Sequence, residues 1–276
     1  MLIHFTKMHG LGNDFVVIDR IMQSFTLRTT SIKHLSDRHL GIGFDQLLLI
    51  EPPIRPNADF FYRIFNANGK EVEQCGNGLR CAARFFYDRG LCNRNQLEAD
   101  CIAGPTHCTI ETDGTVRVEM GIPNFDPPAI PFLSDQETLN YAIQLDQVLF
   151  EASVLSLGNP HAIIQVPDVD QVDLKTIGSA LSTHPAFPKA VNVGFMQVID
   201  RTQIKLRVYE RDVGETLACG SNACAAVVSG IRLGLLNNKV QVLFQQGALT
   251  IEWQGPKSPV MLQGPVHTSF VGQFRV

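Results

Sequence analysis

The segment RIFNANGKEVEQCGNGLRCAA (63–83) and the segment RVYERDVGETLACGSNACAA (207–226) repeat one pattern within the chain. They align without a gap through most of their length, and the alignment sets Cys75 opposite Cys219. In both copies a Cys-Gly pair follows a glutamate at the same spacing, and after one deleted residue both end in Cys-Ala-Ala. Self-similarity at a long fixed period indicates that the chain contains two copies of one folding unit.

Two further matches occur in the same order in both halves. LGNDFVVI (11–18) resembles LGNPHAII (157–164), and the tripeptide Thr-Ile-Glu occurs at 109–111 and again at 250–252. Composition bias does not readily produce several collinear matches at nearly one spacing. The sequence therefore predicts two homologous domains.

The boundary between the domains is expected in the segment IPNFDPP (122–128), where prolines cluster as they do in linkers. This predicts an N-terminal domain over 1–121 and a C-terminal domain over 122–265. Residues 266–276 have no counterpart in the first half, and we expect this tail to pack back on the N-terminal domain.

Short β-branched and aromatic runs bounded by Gly, Pro, Asn or Asp predict strands in both halves. Segments 78–90 and 222–236 are rich in residues that suit a buried helix, and glycines near their ends suit helix caps. Strands outnumber helices, so each domain is predicted to be α+β, with a mainly antiparallel sheet packed on one long helix. The predicted strands are 15–18, 47–50, 62–65, 115–120, 162–166, 194–198, 204–209 and 240–244.

The composition excludes several classes of protein. Hydrophobic residues make up 45% of the chain and charged residues 18%, which supplies apolar cores and argues against disorder. The net charge of -4 argues against a general nucleic-acid partner. No apolar run is long enough to cross a membrane, and the N-terminus lacks the secretory pattern, so we expect a cytoplasmic protein.

The chain has seven cysteines, an odd number, and no secretory signal, which argues against a disulfide framework. It also lacks a Cys-x-x-Cys pair, the spacing that would suggest a metal site. Cys75 and Cys219 instead precede the two predicted helices. The start of a helix presents free backbone N–H groups, which lower the pKa of a thiol and bind a carboxylate. Cys81 and Cys224 follow within the helices, where buried packing is the favoured interpretation.

Two matched thiols on opposite sides of one carbon are what inversion of a stereocentre requires. One thiolate removes a proton from one face, and the other thiol delivers a proton to the opposite face. The polar residues around the motifs favour a small zwitterionic substrate, an amino acid. Two alternatives stay open: a redox protein in which Cys75 and Cys219 form a disulfide, and an amino-acid-binding module without catalysis.

Five segments carry a closer resemblance. HGLGNDF (9–15), FNANGKEVEQCGNGLRC (65–81), LGNPH (157–161), VNVGF (191–195) and YERDVGETLACGSNACA (209–225) resemble the diaminopimelate epimerase family. The resemblance implies two pseudo-symmetric domains, each with a sheet wrapped around a central helix, and a substrate site between them. It implies cofactor-independent interconversion of LL- and meso-2,6-diaminopimelate, for lysine and peptidoglycan precursors. One departure is Asn222, where many members have glycine; asparagine tolerates either backbone conformation, so this puts little in doubt.

The family's motifs also imply roles for individual residues. Cys75 would donate and Cys219 accept the proton in the LL-to-meso direction, while His161 and Glu210 would tune the thiols. Arg211 would pair with the distal carboxylate and Glu210 with the distal ammonium, whereas helix-end residues would hold the reacting carboxylate. The family implies no metal or cofactor, and a homodimer with Phe270 as an expected contact. The substrate-binding set would be Asn13, Gln46, Asn66, Gly76, Asn77, Asn159, Asn192, Glu210, Arg211, Gly220 and Ser221.

Each of these polar residues has a structural alternative that the sequence leaves open. Turn formation, helix capping, exposed ion pairs and buried packing all place polar side chains without any substrate. The alternatives are turn residues for Asn13 and Asn159, a solvated loop residue for Gln46, caps of local turns for Asn66 and Asn192, a surface ion pair for Glu210 and Arg211, a helix N-cap for Ser221, and a hydrogen-bonded core histidine for His161.

Overall fold

The chain folds as two units, each with its own long helix and its own set of strands. The computed structural model describes residues 1–72 and 75–275. The first unit combines Met1–Glu119 with Gln263–Val276, and the second is Met120–Leu262. The C-terminal strand His267–Arg275 pairs antiparallel with the N-terminal strand Leu2–Gly10, so the end of the chain lies beside its beginning.

The first unit contains most of its strands before residue 120. Its strands lie in one hydrogen-bonded series, and its long helix follows a two-residue strand. The elements are β1 (Leu2–Gly10), β2 (Asn13–Asp19), α1 (Thr29–Ser36), β3 (Gln46–Glu51), β4 (Phe60–Asn66), β5 (Glu71–Val72), α2 (Gly76–Asp88), β6 (Gln96–Cys101), β7 (Gly104–Ile110), β8 (Val116–Glu119) and β18 (His267–Arg275).

The second unit repeats this order of strands and helix. Short helical turns at Pro127–Ala129, Val169–Gln171 and Leu174–Gly178 fill its loops. The elements are β9 (Tyr141–Leu145), β10 (Val148–Ser156), β11 (Pro160–Gln165), α3 (Ser179–Ser182), β12 (Asn192–Asp200), β13 (Gln203–Glu210), β14 (Gly214–Thr216), α4 (Gly220–Arg232), β15 (Lys239–Phe244), β16 (Gly247–Glu252) and β17 (Met261–Gly264), the last of which extends across the division.

The pairing of strands is the same in both units. In the first, β1–β2, β3–β4, β4–β5 and β6–β7 are antiparallel, and β2–β3 and β4–β6 are parallel. In the second, β10–β11, β12–β13, β13–β14 and β15–β16 are antiparallel, and β11–β12 and β13–β15 are parallel. The predicted α+β fold, duplicated and mainly antiparallel, is confirmed.

The long helices α2 and α4 are buried along most of their 13 residues. Helix α2 contacts β1, β2, β3, β4, β7 and β8, and α4 contacts β10, β11, β12, β13, β15 and β16. Strands can approach this closely because alanines at Ala82 and Ala225 are fully buried on the helices and add little side-chain volume. Each sheet therefore wraps around its helix.

The predicted helix boundaries were wrong at both ends. Helices α2 and α4 begin at Gly76 and Gly220, because the preceding cysteines already serve as N-caps with extended backbones. They end before Gly90 and Gly234, whose φ values of 67° and 72° are left-handed and incompatible with continuing the helix. The strand prediction also missed β1, β6, β7, β9, β10, β16 and β18 and the short β5, β14 and β17, and it missed helix α1.

Because α2 is buried on most of its surface, truncating two of its side chains is expected to change the stability of the protein by very different amounts. Leu79 is fully buried, whereas Tyr87 is 37% exposed. Leu79→Ala is expected to lower the free energy of unfolding by about 2–5 kcal/mol, because the sheet around the helix cannot collapse into the cavity. Tyr87→Ala is expected to cost less than about 1 kcal/mol. Urea titrations followed by circular dichroism measure both, and equal losses would contradict a helix enclosed by its sheet.

Candidate active site

Each unit places a cysteine at the start of its buried helix. Cys75 and Cys219 are the N-caps of α2 and α4, and both have extended backbones. The Cys75 Sγ accepts a hydrogen bond from the Gly78 amide at 3.4 Å, which satisfies one of the free N–H groups of the helix end. The Cys219 Sγ lies 3.5 Å from the Ser221 Oγ. The glycines that follow, Gly76 and Gly220, are buried.

The pKa of Cys219 differs from the expectation of a lowered value. Burial raises the pKa of this thiol well above its ordinary value, and the negative charge of Glu210 raises it further. A hydrogen bond from Ser221 and the backbone of Asn222 lower the pKa, as expected at a helix start, but they are outweighed. In the absence of substrate, the Cys219 side chain is therefore a thiol at neutral pH.

In the first unit, Asn13 and Asn77 are bonded to each other. The Asn77 Nδ2 donates to the Asn13 Oδ1 at 3.1 Å, and the Asn13 Nδ2 donates to the Asp45 Oδ2 at 3.0 Å. Asn13 starts β2 directly after Gly12, whose φ of 87° makes the turn from β1. The amide of Asn13 is thus fixed by residues distant in the sequence as well as by its turn.

Gln46 and Asn66 form the second polar pair of the first unit. Gln46 starts β3 and Asn66 ends β4, so the antiparallel register sets them opposite each other. The Gln46 Nε2 donates to the Asn66 Oδ1 at 2.8 Å. Gln46 is half-buried in a strand rather than solvated in a loop, and its Oε1 is buried without a hydrogen-bond partner among the described residues.

In the second unit, three predicted site residues form one chain of hydrogen bonds. The Asn159 Nδ2 donates to the Ser221 Oγ at 3.3 Å, and the Asn159 Oδ1 lies 2.9 Å from the His161 Nε2. Asn159 follows Gly158, whose φ of 88° reproduces the turn at Gly12. Ser221 is not the N-cap of α4, since Cys219 holds that position. The arrangement directs one carboxamide at the residue beside the thiol.

Of the other second-unit residues, Asn192 begins β12, Glu210 ends β13, and Arg211 follows β13 directly. The Asn192 Oδ1 accepts from the Arg211 amide at 3.1 Å, and its Nδ2 donates to the Pro160 carbonyl at 3.1 Å. The Arg211 guanidinium donates to the Lys189 carbonyl at 3.2 Å. The Glu210 carboxylate accepts from the Thr216 hydroxyl at 2.6 Å. The register sets His161 opposite Asn192, and β12 pairs in turn with β13, which ends at Glu210.

Sequence reasoning missed the charged residues that hold Asn13. The Asp14 carboxylate lies 2.6 Å from the Lys7 ammonium and accepts both Nη atoms of Arg38, and Arg38 also binds Asp45. Burial opposes the charge on Asp14, but the hydrogen bonds from Arg38 and Lys7 outweigh burial and lower its pKa to about 2. The signal available in the sequence was the pair of aspartates beside predicted strands.

A buried arginine was missed in α2. Arg80 is fully buried, and its Nη1 donates to the Asn77 Oδ1 at 3.0 Å. An ionised side chain in a buried helix needs polar partners, so Arg80, which stands between Leu79 and Cys81 in the predicted helix, was the signal for a second polar layer. Arg80 fixes the oxygen of Asn77, which in turn directs its nitrogen to Asn13.

Comparison with known proteins decides the family. The family model for diaminopimelate epimerase matches residues 5–125 and 153–268. The chain belongs to the diaminopimelate epimerase family. A diaminopimelate epimerase of Nitrosomonas europaea is 52% identical over 272 residues, covering 99% of this chain and 98% of the relative. One from Chromobacterium violaceum is 50% identical over 276 residues and covers 100% of both chains. The resemblance that the motifs indicated is confirmed.

Solved structures of two other proteins have a similar fold. A hydroxyproline epimerase from Agrobacterium vitis covers 99% of this chain and 92% of its own, at TM-score 0.71 and 13% identity. A PhzF-family phenazine biosynthesis protein from Bacillus anthracis covers 100% of both chains, at TM-score 0.67 and 13% identity. At this identity the likeness shows only that this chain shares its fold with these proteins.

The charge of Glu210 predicts a measurable shift in the ionisation of Cys219. In the ligand-free protein Glu210→Gln removes a negative charge that raises the pKa of this thiol, so the pKa falls and the thiolate forms at lower pH. Alkylation of the Cys219 peptide as a function of pH, followed by mass spectrometry, measures the midpoint. Glu215→Gln is the matched control, because Glu215 is exposed and bonded to Arg207. A midpoint in Glu210→Gln that equals the control would contradict the electrostatic coupling.

Proposed function

We propose that this protein interconverts LL- and meso-2,6-diaminopimelate without a cofactor, using Cys75 and Cys219 as the two acid–base groups. The observation that carries the proposal is the duplication of one device: a cysteine N-cap on a buried helix, followed by a buried glycine, in each unit. Family membership supports diaminopimelate as the substrate, since the relatives at 52% and 50% identity bear that enzyme's name.

In the proposed reaction one cysteine side chain accepts a proton and the other donates one, so no further proton carrier or oxidant is needed. A Cys219 thiolate takes the α-proton of LL-diaminopimelate, leaving the bonding electron pair on carbon as a carbanion. The Cys75 thiol gives its proton to the other face of that carbon and becomes the thiolate. The reverse reaction exchanges the roles, so the enzyme leaves each turnover ready for the opposite direction.

Amides are suited to bind the reacting carboxylate and to stabilise the carbanion. The N–H groups at the starts of α2 and α4, which have no carbonyl partner within the helix, attract an anion, and their positive partial charge favours the negative charge that develops next to it. The carboxamides of Asn13, Asn66, Asn77, Asn159 and Asn192, with Gln46 and Ser221, would orient the substrate through neutral hydrogen bonds.

Glu210 and Arg211 are proposed to recognise the distal amino-acid group. A guanidinium binds a carboxylate through two parallel hydrogen bonds, and a carboxylate accepts from an ammonium. Substrate binding would then place a positive charge beside Glu210, offsetting the charge that raises the pKa of Cys219. The proton acceptor would thus become active when the correct substrate is present, and amino acids without a distal group would not activate it.

Replacing each helix-start cysteine tests the assignment. Cys75→Ala and Cys219→Ala are each expected to reduce turnover of LL-diaminopimelate to below about a thousandth of the wild-type rate, because each removes one of two obligatory proton carriers. Turnover is measured by proton NMR with reductant present. Cys92→Ala is the control: Cys92 is a half-buried free cysteine outside α2 and α4, and its loss should leave turnover intact. Turnover above a tenth of wild type in either active-site variant would contradict the two-thiol mechanism.

We also propose that the protein acts in the cytoplasm as a homodimer, in the biosynthesis of lysine and peptidoglycan precursors. None of the described helices is long and apolar enough to span a membrane. Support for a dimer comes from β18, where Phe270 is 49% exposed and Val271 71% exposed. Exposed apolar side chains such as that of Phe270 favour contact with a second chain.

A charge at Phe270 is expected to dissociate the proposed dimer. Phe270→Asp would put a carboxylate on the apolar contact, so sedimentation velocity should give a monomer where the wild type gives a dimer. Leu40→Asp provides a control at another exposed apolar residue, 75% exposed, and should leave the dimer unchanged. A dimeric Phe270→Asp variant, or a monomeric wild type, would contradict this contact.

A further inference from the structure

Asn222 is a buried polar residue that the first repeat lacks. It lies on α4 three residues after Cys219, and its counterpart on α2 is Gly78. The Asn222 side chain is fully buried, and its Nδ2 lies 3.3 Å from the Nδ1 of His161. Its Oδ1 is buried without a hydrogen-bond partner among the described residues. A buried carbonyl oxygen without a partner destabilises a fold. The contact of the Asn222 Nδ2 with His161 is therefore the interaction that could offset this cost.

The surroundings of Asn222 differ from those of Gly78 in a coordinated way. A Cβ added to Gly78 would lie 3.2 Å from the Leu48 Cδ2 and 3.4 Å from the Phe15 Cε1, so apolar side chains fill the space beside this glycine. In the alignment of the two repeats, His161 is the counterpart of Phe15. The strand register makes Gly194 the counterpart of Leu48.

In the second unit, Asn222 occupies the space that a side chain at residue 194 would take. A Cβ added to Gly194 would lie only 2.2 Å from the Asn222 Oδ1. One unit therefore has a phenylalanine, a leucine and a glycine at three touching positions, and the other has a histidine, a glycine and an asparagine. The larger side chains stand on the strands in the first unit, whereas in the second unit a side chain on the helix fills the place of one of them. A hydrogen bond in the second unit takes the place of an apolar contact in the first.

The hydrogen bonds of His161 specify where its proton lies. Burial, with a smaller effect from the charge of Arg211, lowers the pKa of His161 to about 3, so the ring is neutral at physiological pH. A neutral imidazole donates from one nitrogen and accepts at the other. The Asn159 nitrogen already donates to Ser221, which leaves the Asn159 oxygen to face the His161 Nε2. The proton is then on Nε2, and Nδ1 accepts from Asn222.

We propose that Asn222 is a positioning residue that holds His161 with its proton on Nε2 and thereby keeps the Asn159 carboxamide directed at Ser221, beside Cys219. The inference rests on the proposed function for its effect on turnover, but the position of the proton is a property of the folded protein alone. A glycine at this site would leave Nδ1 without its donor.

The test compares Asn222→Gly with the wild type in two independent measurements. Long-range ¹⁵N–¹H NMR of the histidine ring reports which nitrogen carries the proton, without any substrate. The wild type is expected to give the Nε2–H pattern for His161, and Asn222→Gly a mixture of both forms. The kcat for LL-diaminopimelate is expected to fall by about tenfold, the size of one lost hydrogen bond.

Two further variants keep the result interpretable. Gly194→Ala leaves Asn222 in the sequence but displaces its amide, so it should change the His161 pattern in the same direction, and it serves if Asn222→Gly does not fold. Ser229→Ala changes another buried polar residue of α4 that takes no part in these bonds, and it should preserve both the pattern and kcat.

The outcomes separate the positioning role from the proposed reaction. A changed His161 pattern in Asn222→Gly or Gly194→Ala, with an unchanged pattern in Ser229→Ala, supports the role of Asn222. A wild type without the Nε2–H pattern, or a pattern that survives the loss of Asn222, overturns it. A wild type that shows the Nε2–H pattern but does not turn over diaminopimelate contradicts the proposed function and leaves the positioning of His161 standing.

Discussion

The free backbone amides at the start of a buried helix are the feature on which the rest of this structure depends. A helix enclosed by a sheet must satisfy those N–H groups inside the protein, because water has little access to them. In the first unit the Cys75 sulfur takes that position and accepts from the Gly78 amide. Amides at a helix start are also suited to bind a carboxylate, so a structural requirement coincides with the proposed binding site.

Duplication of this device gives two similar scaffolds but not two identical environments. Strand order, the turns at Gly12 and Gly158, and the ion pairs Arg63–Glu71 and Arg207–Glu215 occur in both units. The side chains around the cysteines differ: amides and a buried arginine in the first unit, and a histidine, a carboxylate and a second asparagine in the second. The backbone thus provides the symmetry of the proposed reaction, and in that proposal the differing side chains distinguish the two ends of the substrate.

Much of the fold could be predicted from the sequence because the information was repeated. The match between the two halves indicated the long helices, the paired cysteines and the duplicated α+β fold. Strand β18 was missed because it has no counterpart in the first half and exposes most of its residues to solvent. Helix ends were missed because a cysteine N-cap is not among the usual capping residues.

The pKa of Cys219 could not be predicted from the motif. A helix start lowers the pKa of a thiol, but burial and the charge of Glu210 act in the other direction and are stronger. Both depend on where the chain returns in space, and neighbours in the sequence do not reveal it. The network of Lys7, Asp14, Arg38 and Asp45 around Asn13 was missed for the same reason, since it joins three separate segments.

In the proposed mechanism, two different thiols handle the proton on opposite faces of one carbon. The most direct test is the fate of deuterium when LL-diaminopimelate reacts in D₂O with reduced protein, followed by NMR and mass spectrometry at low conversion. We predict that the meso product carries one deuterium at the inverted carbon while the remaining LL substrate keeps its proton. Deuterium entering the remaining substrate and the product at equal rates, or a product that retains the original proton, would contradict the two-thiol mechanism.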